Sequence, residues 1–197
     1  GEPRTSTIHV EYGVKMFVDL SLAYFNPRLA YEHRRVAEQV SDGEIVLDMF
    51  AGVGGFTLHI VTLREALVVA NDLNRRALLC LLRGLELNRG SLKGEVIVLE
   101  ADALRLSAAL RANAFDRVIM DNPTNCLEFL PVACRLLRPR GTLHLYAVAG
   151  ENEVPEMVEG ITKVINSAGR KVASVNVRKV IDYSPRTNIY CFDLNVH

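Results

Sequence analysis

The chain has 197 residues, 49% of them hydrophobic and 23% charged, which suits one globular domain with a sizeable core. Its 23 basic and 23 acidic side chains cancel, which excludes attraction to a polyanion by net charge alone. No apolar run reaches the roughly 18 residues that a membrane-crossing helix needs, and the opening GEPRTSTIHVEYG lacks the basic-then-apolar layout of a secretory signal.

Residues 7–20, TIHVEYGVKMFVDL, alternate apolar and polar side chains around Glu11-Tyr12-Gly13. That predicts a β-hairpin in which Gly13 is free to take a positive φ. In FNPRLAYEHRRVAEQV the Asn-Pro pair marks a turn, and Leu29, Val36 and Val40 share one face of the helix that follows. EIVLDMF reads as a short strand apolar on both faces, as in parallel sheets. Helices near 55–64, 75–87, 104–112 and 125–137 then alternate with strands at 66–72, 95–102, 115–123 and 141–149. Pro139 and Gly141 are read as stopping the last of these helices. A helix near 152–167 leads to two alternating runs around DYSPRT, expected to be an antiparallel pair closing the sheet edge. The pattern predicts an α/β fold: a doubly wound, mostly parallel Rossmann-like sheet, with an antiparallel C-terminal edge pair and an N-terminal β-hairpin.

Ligands of such sheets bind at the carboxyl ends of the strands. Those ends read Asp48 followed by Gly52-Val53-Gly54-Gly55, Asp72 with Asn74, Asp102, and Asp121-Asn122-Pro123-Thr124. A P-loop is excluded because no Gly-Lys-Ser/Thr follows the glycines, and Thr57 stands where a dinucleotide motif has its third glycine. Asp72 suits a ribose diol, which NAD and S-adenosyl-L-methionine share. Asp102 favours S-adenosylmethionine, as an acceptor for the adenine amino group. The amides of the glycine turn, with acid nearby, suit that ligand's zwitterionic end. An acid after a strand can also be only a helix N-cap, but four such signals in order point to a bound cofactor. DNPT resembles the motif by which methyltransferases acting on amino or ring nitrogens hold the nitrogen and aim its lone pair.

Cys80, Cys126, Cys134 and Cys191 form no CxxC pair, so buried free thiols and a cytoplasmic setting are expected. His33 and His59 lie in helices without a second ligand at metal spacing, so no metal is expected. Phe56, Phe115 and Phe129 read as core. Glu32, Arg34 and Arg35 read as a solvated or phosphate-facing surface.

HVEYGVKMFVDLSLAYFNPRLAYEHRRVA followed by GEIVLDMFAGVGGFTLHI closely resembles the catalytic domain of the archaeal and eukaryotic tRNA (guanine-37 N1)-methyltransferases. RVIMDNP, LHLY and the closing YSP and DLNV segments match as well, so the resemblance covers nearly the whole chain. A sister family transfers an aminocarboxypropyl group from the same cofactor to the same nucleotide during wybutosine synthesis. The resemblance implies an S-adenosylmethionine-dependent methyltransferase domain over 41–197, with a hairpin and helix over 1–40 packed on it. It implies cofactor contacts at Asp48, Phe50, Gly52, Gly54, Asp72, Leu73, Asp102, Asp121 and Pro123, and tRNA as partner. It also implies that Arg28 donates to O6 of the target guanine; the sister family typically lacks that arginine, which favours methyl transfer.

The chain departs from the family at three places. Asp121 stands where the family has Asn, Asn122 where it has Leu, and Gly55 where the methyltransferases usually have Pro. Asp121 with Asn122 is the candidate for engaging N1–H, the carboxylate serving as base. The domains that recognise the tRNA body in the family are expected to lie outside this sequence, so that much of the tRNA grip comes from elsewhere. Aminocarboxypropyl transfer, a non-catalytic cofactor- or RNA-binding module, and methylation of a protein or small-molecule nitrogen remain alternatives. Arg28 has a structural alternative too, an ion pair with Glu32 four residues on.

Overall fold

The computed structural model describes residues 4–197 and opens with the expected hairpin, β1 (Ser6–Glu11) antiparallel to β2 (Val14–Asp19). Tyr12 and Gly13 take φ of 48° and 87°, the doubly positive backbone of a two-residue turn that matches strand twist. β2 turns Val14, Met16 and Val18 into a buried cluster with Leu58, Leu78 and Leu81. Asn88 then locks the hairpin in place. Its Oδ1 accepts from the Lys15 amide at 3.0 Å, and its Nδ2 donates to the Lys15 carbonyl at 2.6 Å and to the Gly84 carbonyl at 2.7 Å.

Seven strands form a mostly parallel sheet, and the chain separates into two compact units after Ala101. In the first, a 3-10 turn (Pro27–Leu29) leads into α1 (Ala30–Gln39). There follow β3 (Ile45–Asp48), α2 (Gly55–Leu63), β4 (Leu67–Asp72), α3 (Arg75–Leu87) and β5 (Glu95–Glu100). The order β5-β4-β3 is parallel throughout. Val46, Leu47, Val68 and Ala70 are fully or almost fully buried, because helices cover both faces of such strands. α1 lies against α2, and β2 against α3.

The second unit holds a 3-10 turn (Ala103–Arg105), α4 (Leu106–Ala109), β6 (Phe115–Met120), α5 (Cys126–Leu136) and β7 (Leu137–Ala149). α6 (Val154–Ser167), β8 (Val172–Ser184) and β9 (Thr187–Val196) complete it. The order is β6-β7-β9-β8, with β9 antiparallel to both neighbours. β9 is therefore interior, and of this closing pair only β8 lies at an edge of the sheet. All four cysteines are buried free thiols, and no helix among the described residues is long and apolar enough to cross a membrane.

Two expectations need correction. β7 begins at Leu137, not 141, and runs through Pro139, because a register break and a left-handed Arg140 (φ 66°) bulge the strand there. α4 is a single turn rather than a helix over 104–112.

The join between α5 and β7 depends on Arg170, a residue the sequence pattern does not mark. Its Nη1 donates to the carbonyls of Cys134 and Leu137, both at 2.8 Å, and its Nη2 to that of Arg138 at 2.8 Å. One planar guanidinium thus serves carbonyls that the end of a helix cannot satisfy internally. Arg170→Met, which keeps the stem and removes the donors, should lower stability by about 2–4 kcal/mol in urea unfolding. A loss below about 0.5 kcal/mol would show that water replaces the guanidinium.

Candidate active site

β3 delivers Asp48 as its last residue, and the chain then turns through glycines into α2. Gly52 and Gly54 have φ of 53° and 96°. A Cβ on Gly54 would lie 2.3 Å from Leu81 Cδ1, whereas one on Gly52 would meet nothing within 4 Å. Gly54 is thus fixed by packing, and Gly52 presents bare backbone to open space, where a ligand can approach closely. Asp72, the last residue of β4, accepts from the Gly52 amide through Oδ2 and from the Asn74 amide through Oδ1, both at 2.8 Å. Each oxygen retains capacity for another donor. The next residue, Leu73, is 72% exposed, an apolar side chain held beside that carboxylate. Phe50 is half-buried.

The loop amides are less available than the sequence suggests. Those of Ala51, Gly52 and Gly54 bond the Asn71 carbonyl, Asp72 and the Ala51 carbonyl, each at 2.8 Å. A ligand carboxylate therefore does not take these three donors. Asp48 is wholly buried and accepts from the Thr57 hydroxyl at 2.7 Å.

The structure also answers whether the strand-end acids only cap helices. The N-caps of α2, α3 and α5 are Gly54, Asn74 and Asn125. Asp48, Asp72 and Asp121 are therefore not N-caps. Asp102 does cap, accepting from the Leu104 amide at 3.0 Å.

In the second unit Asp121, Asn122 and Pro123 follow β6 directly and are half-buried. The Val148 amide donates to the Pro123 carbonyl at 3.0 Å, which ties this loop to β7. Beside it lies a cavity of about 430 Å³ lined by Pro123, Thr124, Cys126, Val148, Met157 and Tyr183, among others. This is within the range of small-molecule sites. Tyr183, from the closing turn region, is 54% exposed there. Phe56 and Phe115 are core, as expected, and Phe129 is half-buried.

Arg28 is exposed in the 3-10 turn, whose Asn26 cap accepts from the Arg28 amide at 3.1 Å. Glu32 and Arg35 are not the solvated surface expected. Glu32 is 2% exposed and takes Arg35 Nε at 2.9 Å and Nη2 at 2.7 Å. Arg34 pairs with Glu38 at 2.7 Å.

Sequence reasoning missed one cluster altogether. The buried carboxylate of Glu11 meets Nδ1 of His33 at 2.8 Å and Nε2 of His59 at 3.1 Å. These histidines follow it by 22 and 48 positions, on three different elements, so no spacing motif connects them. Sequence spacing offers His33 and His59 no second ligand, yet the fold brings the Glu11 carboxylate to both. Burial alone would raise the Glu11 pKa, but the hydrogen bonds from His33 and His59 and their charge hold it at about 2. Burial pushes His59 down, outweighing its bond to Glu11. At neutral pH the centre is a carboxylate beside a neutral His59.

Residues 7–178 match the family described as the TRM5/TYW2 methyltransferase domain. The chain belongs to that family. Among its TRM5/TYW2 relatives, a protein of Pyrococcus abyssi named tRNA (guanine(37)-N(1))-methyltransferase Trm5b is 34% identical over 100% of this chain and 57% of its own length. The crystal structure of that protein superposes with a TM-score of 0.88 over the same shares of the two chains. A second relative, the tRNA 4-demethylwyosine(37)-methyltransferase Taw21 of Saccharolobus solfataricus, is 34% identical over 91% of this chain and 68% of its own length. The crystal structure of M. jannaschii TYW2 in complex with AdoMet is 28% identical, with a TM-score of 0.89 over 100% of this chain and 88% of that one. Against its Trm5b relatives from P. abyssi and Methanocaldococcus jannaschii, the chain spans 57% and 54% of their length.

The Thr57–Asp48 bond supports the turn from below. Thr57→Val conserves shape and removes one donor from a wholly buried carboxyl group, so stability should fall by about 1–3 kcal/mol in urea unfolding. An unchanged midpoint would show that the bond contributes nothing.

Proposed function

We propose that the chain transfers a methyl group from S-adenosylmethionine to N1 of guanine 37 in tRNA. The observation that carries this reading is the match along the whole chain to a relative named for that reaction. S-adenosylmethionine supplies an electrophilic methyl group on a sulfonium. The first unit suits such a ligand: Gly52 opens onto empty space, Asp72 retains acceptor capacity for a ribose diol, and exposed Leu73 offers an apolar face for adenine. Asp102 accepts from the adenine amino group as well as capping its turn. Gly54 holds the loop, Phe50 and Pro123 wall the ligand, and Asp48 and Asp121 are the acids assigned to its ammonium end.

Guanine N1 carries a proton near neutral pH, so the attacking lone pair appears only as that proton leaves. Asp121, which is not a helix cap and stands at the mouth of β6, accepts it, and Asn122 orients the base edge. Arg28, cationic at every working pH, stabilises the charge that develops on O6. The cavity between Pro123 and Tyr183 receives the target base. Residues 1–40 serve as a hairpin-and-helix appendage to a catalytic domain over 41–197, and the buried free thiols fit a cytoplasmic protein.

Two neighbouring reactions have specific support. The similarity to Taw21 equals that to the P. abyssi protein in identity, and the TYW2 structure superposes as well as that of Trm5b. The test uses tRNA with unmodified G37 and tRNA carrying 4-demethylwyosine, each with cofactor labelled either in the methyl group or in the carboxyl carbon. Methyl label in unmodified tRNA, recovered as N1-methylguanosine, is expected. Methyl label only in the 4-demethylwyosine tRNA, or carboxyl label in either, would replace this reading by the corresponding sister reaction. Asp121→Asn should cut kcat by about 100-fold or more at saturating cofactor. Unchanged turnover would remove Asp121 as the base.

A further inference from the structure

The Glu11 centre offers chemistry that the proposed transfer does not use. One ligand atom from each of Glu11, His33 and His59 lies within 4.8 Å of the others, and Oε2 of Glu11 contacts Nδ1 of His33 and Nε2 of His59. Their side chains are 1%, 6% and 0% exposed. On the other side of the carboxylate, Oε1 lies 3.2 Å from Nε2 of His9. Glu11 Oε1, His9 Nε2 and His59 Nδ1 are nevertheless buried without a hydrogen-bond partner. Oε1 is thus a buried carboxylate oxygen that the hydrogen bonds around it leave unsatisfied, and a cation at this centre would engage it.

We propose that Glu11, His33 and His59 bind one divalent transition-metal ion of the zinc class. Two imidazoles and a carboxylate are a ligand combination that zinc accepts. Donors about 2.0–2.1 Å from a tetrahedral ion lie about 3.3 Å apart. The Glu11 contacts here are 2.8 and 3.1 Å, so an ion takes the place of the bridging protons with small shifts. His33 and His59 then carry their ring protons on the opposite nitrogens. The fourth position falls to water or to Oε1, and His9 steadies the carboxylate from outside.

Two observations set this centre apart. A Cβ on residue 55 would lie 2.4 Å from Nε2 of His33, so Gly55 is what gives the imidazole its seat. The other cluster of similar composition, His144, Cys191 and Asp193, brings a thiol to its acid, and its imidazole is engaged on the far ring nitrogen by the Arg117 guanidinium at 2.7 Å. An ion at Glu11 fastens β1, α1 and α2 together just after the glycine turn. It is a structural ion, independent of which transfer reaction the chain performs.

The test strips the whole chain with a chelator and titrates cobalt(II), then zinc(II). One equivalent of cobalt should give visible d–d bands of tetrahedral intensity. Its X-ray absorption spectrum should show two imidazoles, oxygen and no sulfur, and one equivalent of zinc should raise Tm by several degrees. Glu11→Gln and His59→Gln should abolish the bands, while Cys191→Ala retains them. The wild-type absorption spectrum stands even if a variant fails to fold. No saturable cobalt binding, sulfur in the coordination shell, or bands that survive Glu11→Gln would overturn the proposal.

Discussion

A buried carboxylate that must remain charged organises the first unit. Glu11 sits at the end of β1, where the doubly positive turn at Tyr12 and Gly13 fixes its position, and it is 3% exposed. An anion in that setting needs donors on every side. His33 supplies one from α1 and His59 another from α2. The same two helices lead from Arg28 and from the glycine turn, so both of these candidate site features lie next to elements held by one electrostatic anchor. Gly55 follows from this constraint, because only a residue without a Cβ leaves room for the His33 ring.

The acids at or just after the strand ends first hold the protein itself. Asp48 accepts from Thr57 beneath the turn through one oxygen. Asp72 fixes the Gly52 and Asn74 amides, and each of its oxygens keeps capacity for a further donor. Asp102 caps a short turn. Asp121 is not an N-cap, and the helix after it starts from Asn125. A carboxylate that secures a loop and also receives a ligand is pre-positioned for it, which reduces the ordering cost of binding. The same economy appears at Arg170, where one side chain replaces several main-chain partners.

The β/α alternation was legible because strands buried on both faces are short apolar runs, and the helices between them keep a 3.6-residue period. α3 falls where its period predicts, at Arg75–Leu87. Pro139 misled because proline ordinarily ends regular structure, whereas here it sits in a bulge of β7 that needs no donor from it. The candidate site was legible where its proposed residues are consecutive, as at Gly52–Gly54 and Asp121–Pro123, whose turns the structure places at the ends of β3 and β6. Arrangements that need several elements brought together were not. Glu11, His33 and His59 share no local pattern, and the Glu32–Arg35 pair looks like an ordinary charged helix surface until its burial is known. The glycine at 55 was visible as a departure from the family, but its cause lies in a side chain far away in sequence.

The most direct test of the account is a crystal structure of the protein with S-adenosylhomocysteine, the product that remains after methyl transfer. The ribose hydroxyls should hydrogen-bond the Asp72 carboxylate, with the ligand against the bare backbone of Gly52 and adenine over Leu73. A ligand bound away from Asp72 and Gly52 would contradict the assignment of the glycine turn as the cofactor site.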